Sequence, residues 1–142
     1  MEMKEYLSQA FRIDQRINSK LDQLAALNDL ARKATMLYHR NPGGSSRNIH
    51  ETEDVIVKII DLENEINDEI DELVDLKVEI RETIKNVDDL EYQTLLEKRY
   101  LCFQTWEQIA SDMGYEIRWI YQLHNKALSA VAKKTKLFTK RH

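Results

Sequence analysis

Through residues 3–38 the apolar positions Leu7, Ala10, Phe11, Ile13, Ile17, Leu21, Leu24, Leu27, Leu30, Ala31, Ala34 and Leu37 step mostly by three and four. That spacing predicts one long amphipathic helix. The run Asn41, Pro42, Gly43, Gly44, Ser45 and Ser46 cannot continue it and predicts a chain reversal over residues 41–50. No strand precedes the two glycines and no Gly-Lys-Ser/Thr follows, so they read as a turn and not as a phosphate cradle. A second helix is expected from near Thr52 to about residue 86, with Ser46 or Thr52 as its cap. In it Ile59, Ile66, Leu73, Ile80 and Val87 repeat every seven residues. Leu62, Leu76 and Leu90 lie three beyond, Glu69 and Thr83 interrupt that second row, and Ile56, Ile70 and Ile84 widen the stripe. A sustained heptad of this kind is a coiled-coil signal. Two helices of similar length joined by a short turn predict an antiparallel hairpin over residues 1–88. The acidic face of the second helix is then expected to meet Arg12, Arg16, Lys20, Arg32 and Lys33 of the first. The surplus apolar surface predicts a homodimer through the hairpin; the competing expectation is a monomer in which the hairpin packs on its own carboxy-terminal domain.

The pattern changes after residue 88. A helix over residues 89–100 offers Leu90, Leu95, Leu96 and Tyr100 as one side of a small three-helix core. Thr105 followed by Gln108 has the form of a capping box and starts a helix at Trp106, with Trp106, Ile109, Ala110 and Met113 on one face. Gly114 ends that helix and lets the chain swing into the next. From near Glu116, Ile120, Leu123, Ala127, Leu128 and Val131 recur at helical spacing and are expected inside. Arg118, Tyr121, Gln122 and Asn125 are left on the outer face, with Ile117, Trp119 and Lys126 on outer or flanking positions. A guanidinium, a phenol and two amides on the exposed side of a short helix are groups that bond base edges and phosphates. The expected DNA-contacting set is Arg118, Trp119, Tyr121, Gln122, Asn125, Lys126 and Lys133, carried by a helix over residues 116–132.

The run LLEKRYLCFQTWEQIASDMGYEIRWIYQLHNKAL resembles the sigma-70 region 4 type of helix-turn-helix. It resembles more closely a group of small phage-encoded transcriptional regulators that place such a module after a helical amino-terminal part. The shared pattern is Leu95, Arg99 and Tyr100, then Trp106, Ile109 and Ala110, then Arg118, Ile120, His124, Ala127 and Leu128. The resemblance covers the last third to two fifths of the chain. It departs at Glu116, where many relatives carry Ser; a carboxylate suits a helix N-terminus but repels phosphate. The nearest functional analogy is with ArpU-like and RinA-like late-gene regulators. What the resemblance implies is a phage- or prophage-encoded regulator of transcription, acting on double-stranded DNA in the cytoplasm of a bacterial host, with RNA polymerase as a further candidate partner.

Composition agrees with long helices: 142 residues hold three glycines and one proline. The net charge of −4 looks unfavourable for nucleic acid, but it is unevenly spread. Residues 1–50 carry 8 basic and 5 acidic side chains, residues 51–91 carry 4 and 16, and residues 92–142 carry 9 and 4. The expected reader and its tail, Lys133, Lys134, Lys136, Lys140 and Arg141, are therefore basic, which suits phosphate attraction and predicts salt-dependent binding. The acidic run from Glu63 to Glu82 reads as a solvated face; a second reading makes it a DNA mimic, through Glu65, Asp68, Asp71 and Glu72, that holds the reader closed. Cys102, the single cysteine, reads as a small core residue beside Leu101 and Phe103.

His39, His50, His124 and His142 have neither the spacing of a zinc site nor that of a nucleophile and base, so no enzyme, metal or cofactor is expected. The chain opens without an apolar leader and has no membrane-length apolar run, which predicts a cytoplasmic protein with no membrane partner. The expected architecture is all-α: a long hairpin followed, from residue 89, by a sigma-70 region 4-like helix-turn-helix with a basic tail. The expected function is sequence-specific DNA binding. The alternative, from a different class, is a protein-interaction module that engages RNA polymerase or a sigma factor, or a coiled-coil assembly adaptor.

Overall fold

The computed structural model describes residues 2–40 and 46–140, with side chains described for all of these except 38, 39, 46–51 and 136–140. The described residues are all-α: α1 (Met3–Arg40), α2 (Ser46–Lys85), α3 (Leu90–Tyr100), α4 (Trp106–Met113) and α5 (Ile117–Lys140). Of the reversal expected over residues 41–50, residues 41–45 lie outside the described residues, as do the side chains of Lys136, Lys140 and Arg141, while residues 46–50 are helical. Helix α2 starts six residues before Thr52, at Ser46, because residues 46–51 contain no glycine or proline and nothing in them stops a helix. Helix α5 likewise runs past Ala132 to Lys140.

The chain divides into two compact units, one made of Met1–Ile13 with Leu73–His142, the other of Asp14–Glu72. The unit holding residues 89–142 thus also takes in the first turns of α1 and the last of α2. Its core gathers Leu7 and Ala10 from α1, Ile80 and Ile84 from α2, and Val87 from the following turn. Leu95, Leu96 and Tyr100 come from α3, Ile109 and Ala110 from α4, and Ile120, Leu123, Ala127 and Val131 from α5. The three short helices pack on one another.

Local hydrogen bonds set the corners. Asp89 caps α3 by accepting from the backbone N–H groups of Glu91 at 2.9 Å and Tyr92 at 3.2 Å. At the far end, the Glu97 carbonyl accepts from Leu101 and Cys102, both at 3.0 Å. The chain then turns through Phe103, whose φ of 57° is left-handed. A bulky residue there costs on the order of 1–3 kcal/mol, so its surroundings must hold it. The Phe11 ring meets Phe103 edge-on at 5.6 Å and the Lys77 ammonium lies 4.7 Å from its centre.

Two core expectations are corrected. Leu90 is 73% exposed. It stands immediately after the cap, and at 100° per residue it lies about 140° around from the face that Leu95, Leu96 and Tyr100 bury. Cys102 is exposed, because the turn seats Leu101 and Phe103 against the core and leaves the thiol between them outside.

In the unit Asp14–Glu72 the buried apolar side chains among the described residues are Ile17, Leu62 and Ile66. A carboxylate, Glu69, is buried with them, which corrects the expectation that the acidic run is solvated throughout. Its Oε1 accepts from Lys20 Nζ at 2.5 Å and forms an ion pair with Arg16 Nη2 at 2.9 Å, while Oε2 is buried without a hydrogen-bond partner. Lys20 also lies 3.5 Å from Glu65, one turn back on α2. The hydrogen bond to Glu69, ahead of the charges of Glu69 and Glu65, holds the Lys20 ammonium pKa above its ordinary value. Arg32 and Lys33 instead pair with Asp29 on their own helix, at 2.7 and 3.2 Å.

Candidate nucleic-acid interface

Helix α4 begins where its sequence says it should. The Thr105 hydroxyl accepts from Gln108 N–H at 3.2 Å, and the Gln108 side chain accepts from Thr105 N–H at 2.9 Å, closing a reciprocal capping box. The helix buries Ile109 and Ala110 and stops at Gly114, whose φ is 73°. A Cβ at Gly114 would meet nothing within 4 Å. Glycine is favoured here by backbone conformation, not by crowding. Tyr115 N–H returns to the Ala110 carbonyl at 3.0 Å, which closes the turn and aims the chain into α5.

On α5 the buried residues Ile120, Leu123, His124, Ala127 and Val131 form one stripe. At 100° per residue, the line opposite that stripe carries Arg118, Gln122, Asn125 and Ser129, and all four are exposed. Trp119 and Lys126 share one flank, with the ammonium 5.1 Å from the indole centre and Tyr115 edge-on to the same indole at 6.3 Å. Tyr121 occupies the other flank and meets Trp106 edge-on at 5.5 Å. Lys133 is exposed beyond Ser129, and its neighbour Lys134 pairs with Asp88 at 3.3 Å. The seven residues expected to touch DNA are therefore all exposed on this helix. They form a polar centre line with aromatic and cationic flanks.

The neighbourhood is not uniformly basic. Glu107 and Asp112 are exposed on α4, Glu116 is exposed just before α5, and Lys98 is 3.4 Å from Asp112. Gln104, Glu107, Gln108, Ser111 and Asp112 line an open depression with an acidic wall. A phosphate backbone is favoured along the Lys126 and Lys133 side and repelled from the α4 side.

Under the exposed face lies a cluster that helical spacing alone does not announce. Tyr100 of α3 and His124 of α5 are both buried, and the phenol oxygen is 2.6 Å from His124 Nε2. Burial first, then the nearby cations Lys4 and Arg99, push the imidazole pKa down to about 4. Burial pushes the Tyr100 phenol up to about 12. At neutral pH the phenol therefore donates to the unprotonated Nε2, and Nδ1 carries the ring proton. Trp106 of α4 packs edge-on against His124 at 4.6 Å, and the Arg99 guanidinium lies over the Trp106 indole at 4.3 Å from its centre while donating to the Gln104 carbonyl at 2.9 Å. One residue from each of three helices thus meets at His124, which fixes how α5 lies on α3 and α4. His124 falls three and four residues from Ile120, Leu128 and Ala127, so its inward position was readable; its partner, 24 residues away, was not. Among the described residues no group of three His, Cys, Asp or Glu side chains is placed to hold a metal ion. No helix of the described residues is long and apolar enough to cross a membrane.

The chain belongs to the family described as Protein of unknown function (DUF1492), whose model matches residues 32–132. The match takes in the end of α1, all of α2, α3 and α4, and α5 as far as Ala132. No curated protein and no solved structure matches the chain.

Proposed function

We propose that this member of the family is a sequence-specific DNA-binding regulator of transcription, with α4 and α5 as a helix-turn-helix and α5 as the helix that lies in the major groove. The observation that carries the reading is the division of α5: Arg118, Gln122 and Asn125 exposed along one line, with Ile120, Leu123, Ala127 and Val131 buried opposite. Arg pairs with guanine edges and Asn or Gln with adenine edges, so this line has the chemistry of direct readout. Lys126 and Lys133 add phosphate contacts, and Trp119 and Tyr121 add apolar surface at the groove walls. The resemblance to phage late-gene regulators supports the same reading. In it, α1 and α2 form an antiparallel hairpin: moving four residues along α1, from Arg16 to Lys20, extends the contacts on α2 backward from Glu69 to Glu65.

A second reading is favoured by one observation. Tyr115, Ile117, Trp119 and Tyr121 are all large and exposed around the start of α5. Such a cluster also suits a protein surface, and on this reading the module engages RNA polymerase or a sigma factor.

Selection of bound fragments from a random duplex pool separates the two. On the DNA reading a defined motif emerges. Arg118→Ala, Gln122→Ala and Asn125→Ala then each cost about 1–3 kcal/mol and relax preference at one position, whereas Lys126→Ala and Lys133→Ala weaken all duplexes alike. If no duplex is retained at low salt, or the first three variants bind as the parent does, the protein-interaction reading replaces it.

A further inference from the structure

We propose that a second copy of this chain packs along α2 within Asp14–Glu72 and that the two copies together form a four-helix bundle. The inference stands on residues outside the DNA-reading helix. Helix α2 carries two apolar seams. The first, Ile59, Leu62, Ile66 and Glu69, is spaced by three, four and three, and Glu69 in it is bonded to Lys20 and Arg16, so this seam faces α1. The second lies about 100° around the helix, with Glu63 and Asn67 at its middle positions. It holds Ile56, Ile60 and Ile70, which are 47%, 52% and 40% exposed. A helix with two apolar rows about 100° apart is patterned for two neighbours, as in a four-helix bundle.

Within this unit of the chain, α1 supplies one neighbour. It too has exposed leucines, Leu21, Leu30 and Leu37. Among the described residues the unit's buried apolar side chains, Ile17, Leu62 and Ile66, are few for two helices of this length, whose stability rests on the packing of their apolar faces. A missing pair of helices would supply what is absent.

Charge selects the occupant. Over residues 14–40, α1 carries five basic and three acidic side chains; over residues 46–72, α2 carries ten acidic and two basic. When two copies associate about a two-fold axis, the acidic α2 of each gains the basic α1 of the other as its second neighbour, and opposite signs alternate around the bundle. The chain therefore carries on one helix the complement of what the other lacks.

The test is the mass of the full chain without DNA, by sedimentation equilibrium over a wide concentration range. The expected result is a species of twice 16.8 kDa that dissociates on dilution. The triple variant I56Q/I60Q/I70Q is expected to weaken association by about 100-fold or more, with helix content kept because these side chains are exposed in the single chain. A second variant on the other helix, L30Q/L37Q, gives the same shift and keeps the test decisive if the first fails to fold. A monomer at every concentration, a larger closed species, or a dimer that both variants leave intact overturns the proposal. Each of those results leaves the DNA reading untouched, since no duplex is present.

Discussion

The two units of this chain are held together by different means. In Met1–Ile13 with Leu73–His142, five helical segments converge on one core in which Leu7, Ile80, Ile84, Leu95, Leu96, Ile109, Ile120 and Val131 are fully buried. In Asp14–Glu72, two helices share a thin seam in which, among the described residues, three aliphatic side chains are buried around a buried carboxylate with two cations. Short helices that meet from several directions can surround a side chain completely, whereas a pair of long helices shields only the line between them. The fully buried side chains are thereby gathered beneath α5, the helix proposed above to contact base edges.

The largest expected effect breaks the comparison if it fails. Leu95→Ala removes a fully buried side chain from a site closed on all sides, and about 2–5 kcal/mol of unfolding free energy is expected to be lost. Ile66→Ala, at the thin seam, is expected to cost about half as much, because neighbouring side chains and water can reach the vacated volume. Urea unfolding of both variants at neutral pH measures the contrast. Equal losses would show that the two cores are equally closed.

The second effect separates the units by pH. The His124 pKa is about 4 in the fold against 6.5 for the unperturbed ring. As pH falls below 6.5 the unfolded chain takes up this proton before the folded one does, so stability is lost between pH 6.5 and 4 and levels off below. About 2 kcal/mol is expected from this residue, less than the full conversion because solvent screens part of the charge. His124→Phe should flatten that part of the pH profile relative to the parent. If the two profiles run parallel, His124 is not the group that titrates.

Helix positions are legible in the sequence because apolar spacing and capping are local. Helices α1, α3, α4 and α5 start at or one residue from where Leu7 and Ala10, Asp89, the Thr105 and Gln108 pair, and the Ile120 stripe put them. The inward and outward faces of α5 are legible for the same reason. What spacing cannot report is a polar residue on an inward face whose partner is distant in sequence. Glu69 interrupts an apolar row and looks solvated until Lys20, 49 residues away, is brought beside it. Leu90 and Cys102 fail in the other direction. Both are of apolar type, but one is rotated off its helix face and the other sits at a turn set by the backbone of Phe103, which hydrophobicity does not encode.

The smallest effect concerns the sign of a single substitution. Burying Glu69 strips water from a carboxylate of which one oxygen is bonded twice and the other has no partner. Replacement of a buried ion pair by a well-packed apolar residue is often neutral or stabilising, provided the remaining charges are not left stranded. Here they are not: Arg16 is largely exposed to solvent and Lys20 keeps Glu65 within 3.5 Å. Leucine at this position also joins Leu62 and Leu76 into an unbroken row. Glu69→Leu is therefore expected to leave stability unchanged or raise it by about 1 kcal/mol, read as a shift in the thermal unfolding midpoint. What the carboxylate contributes in exchange is register, because an apolar row slides by a heptad at little cost while a buried charge has only one pair of cations to meet. A substitution that destabilised the chain by several kcal/mol would show the ion pair to be a principal source of cohesion in Asp14–Glu72, and the contrast between the two units would then be one of chemistry alone, not of strength.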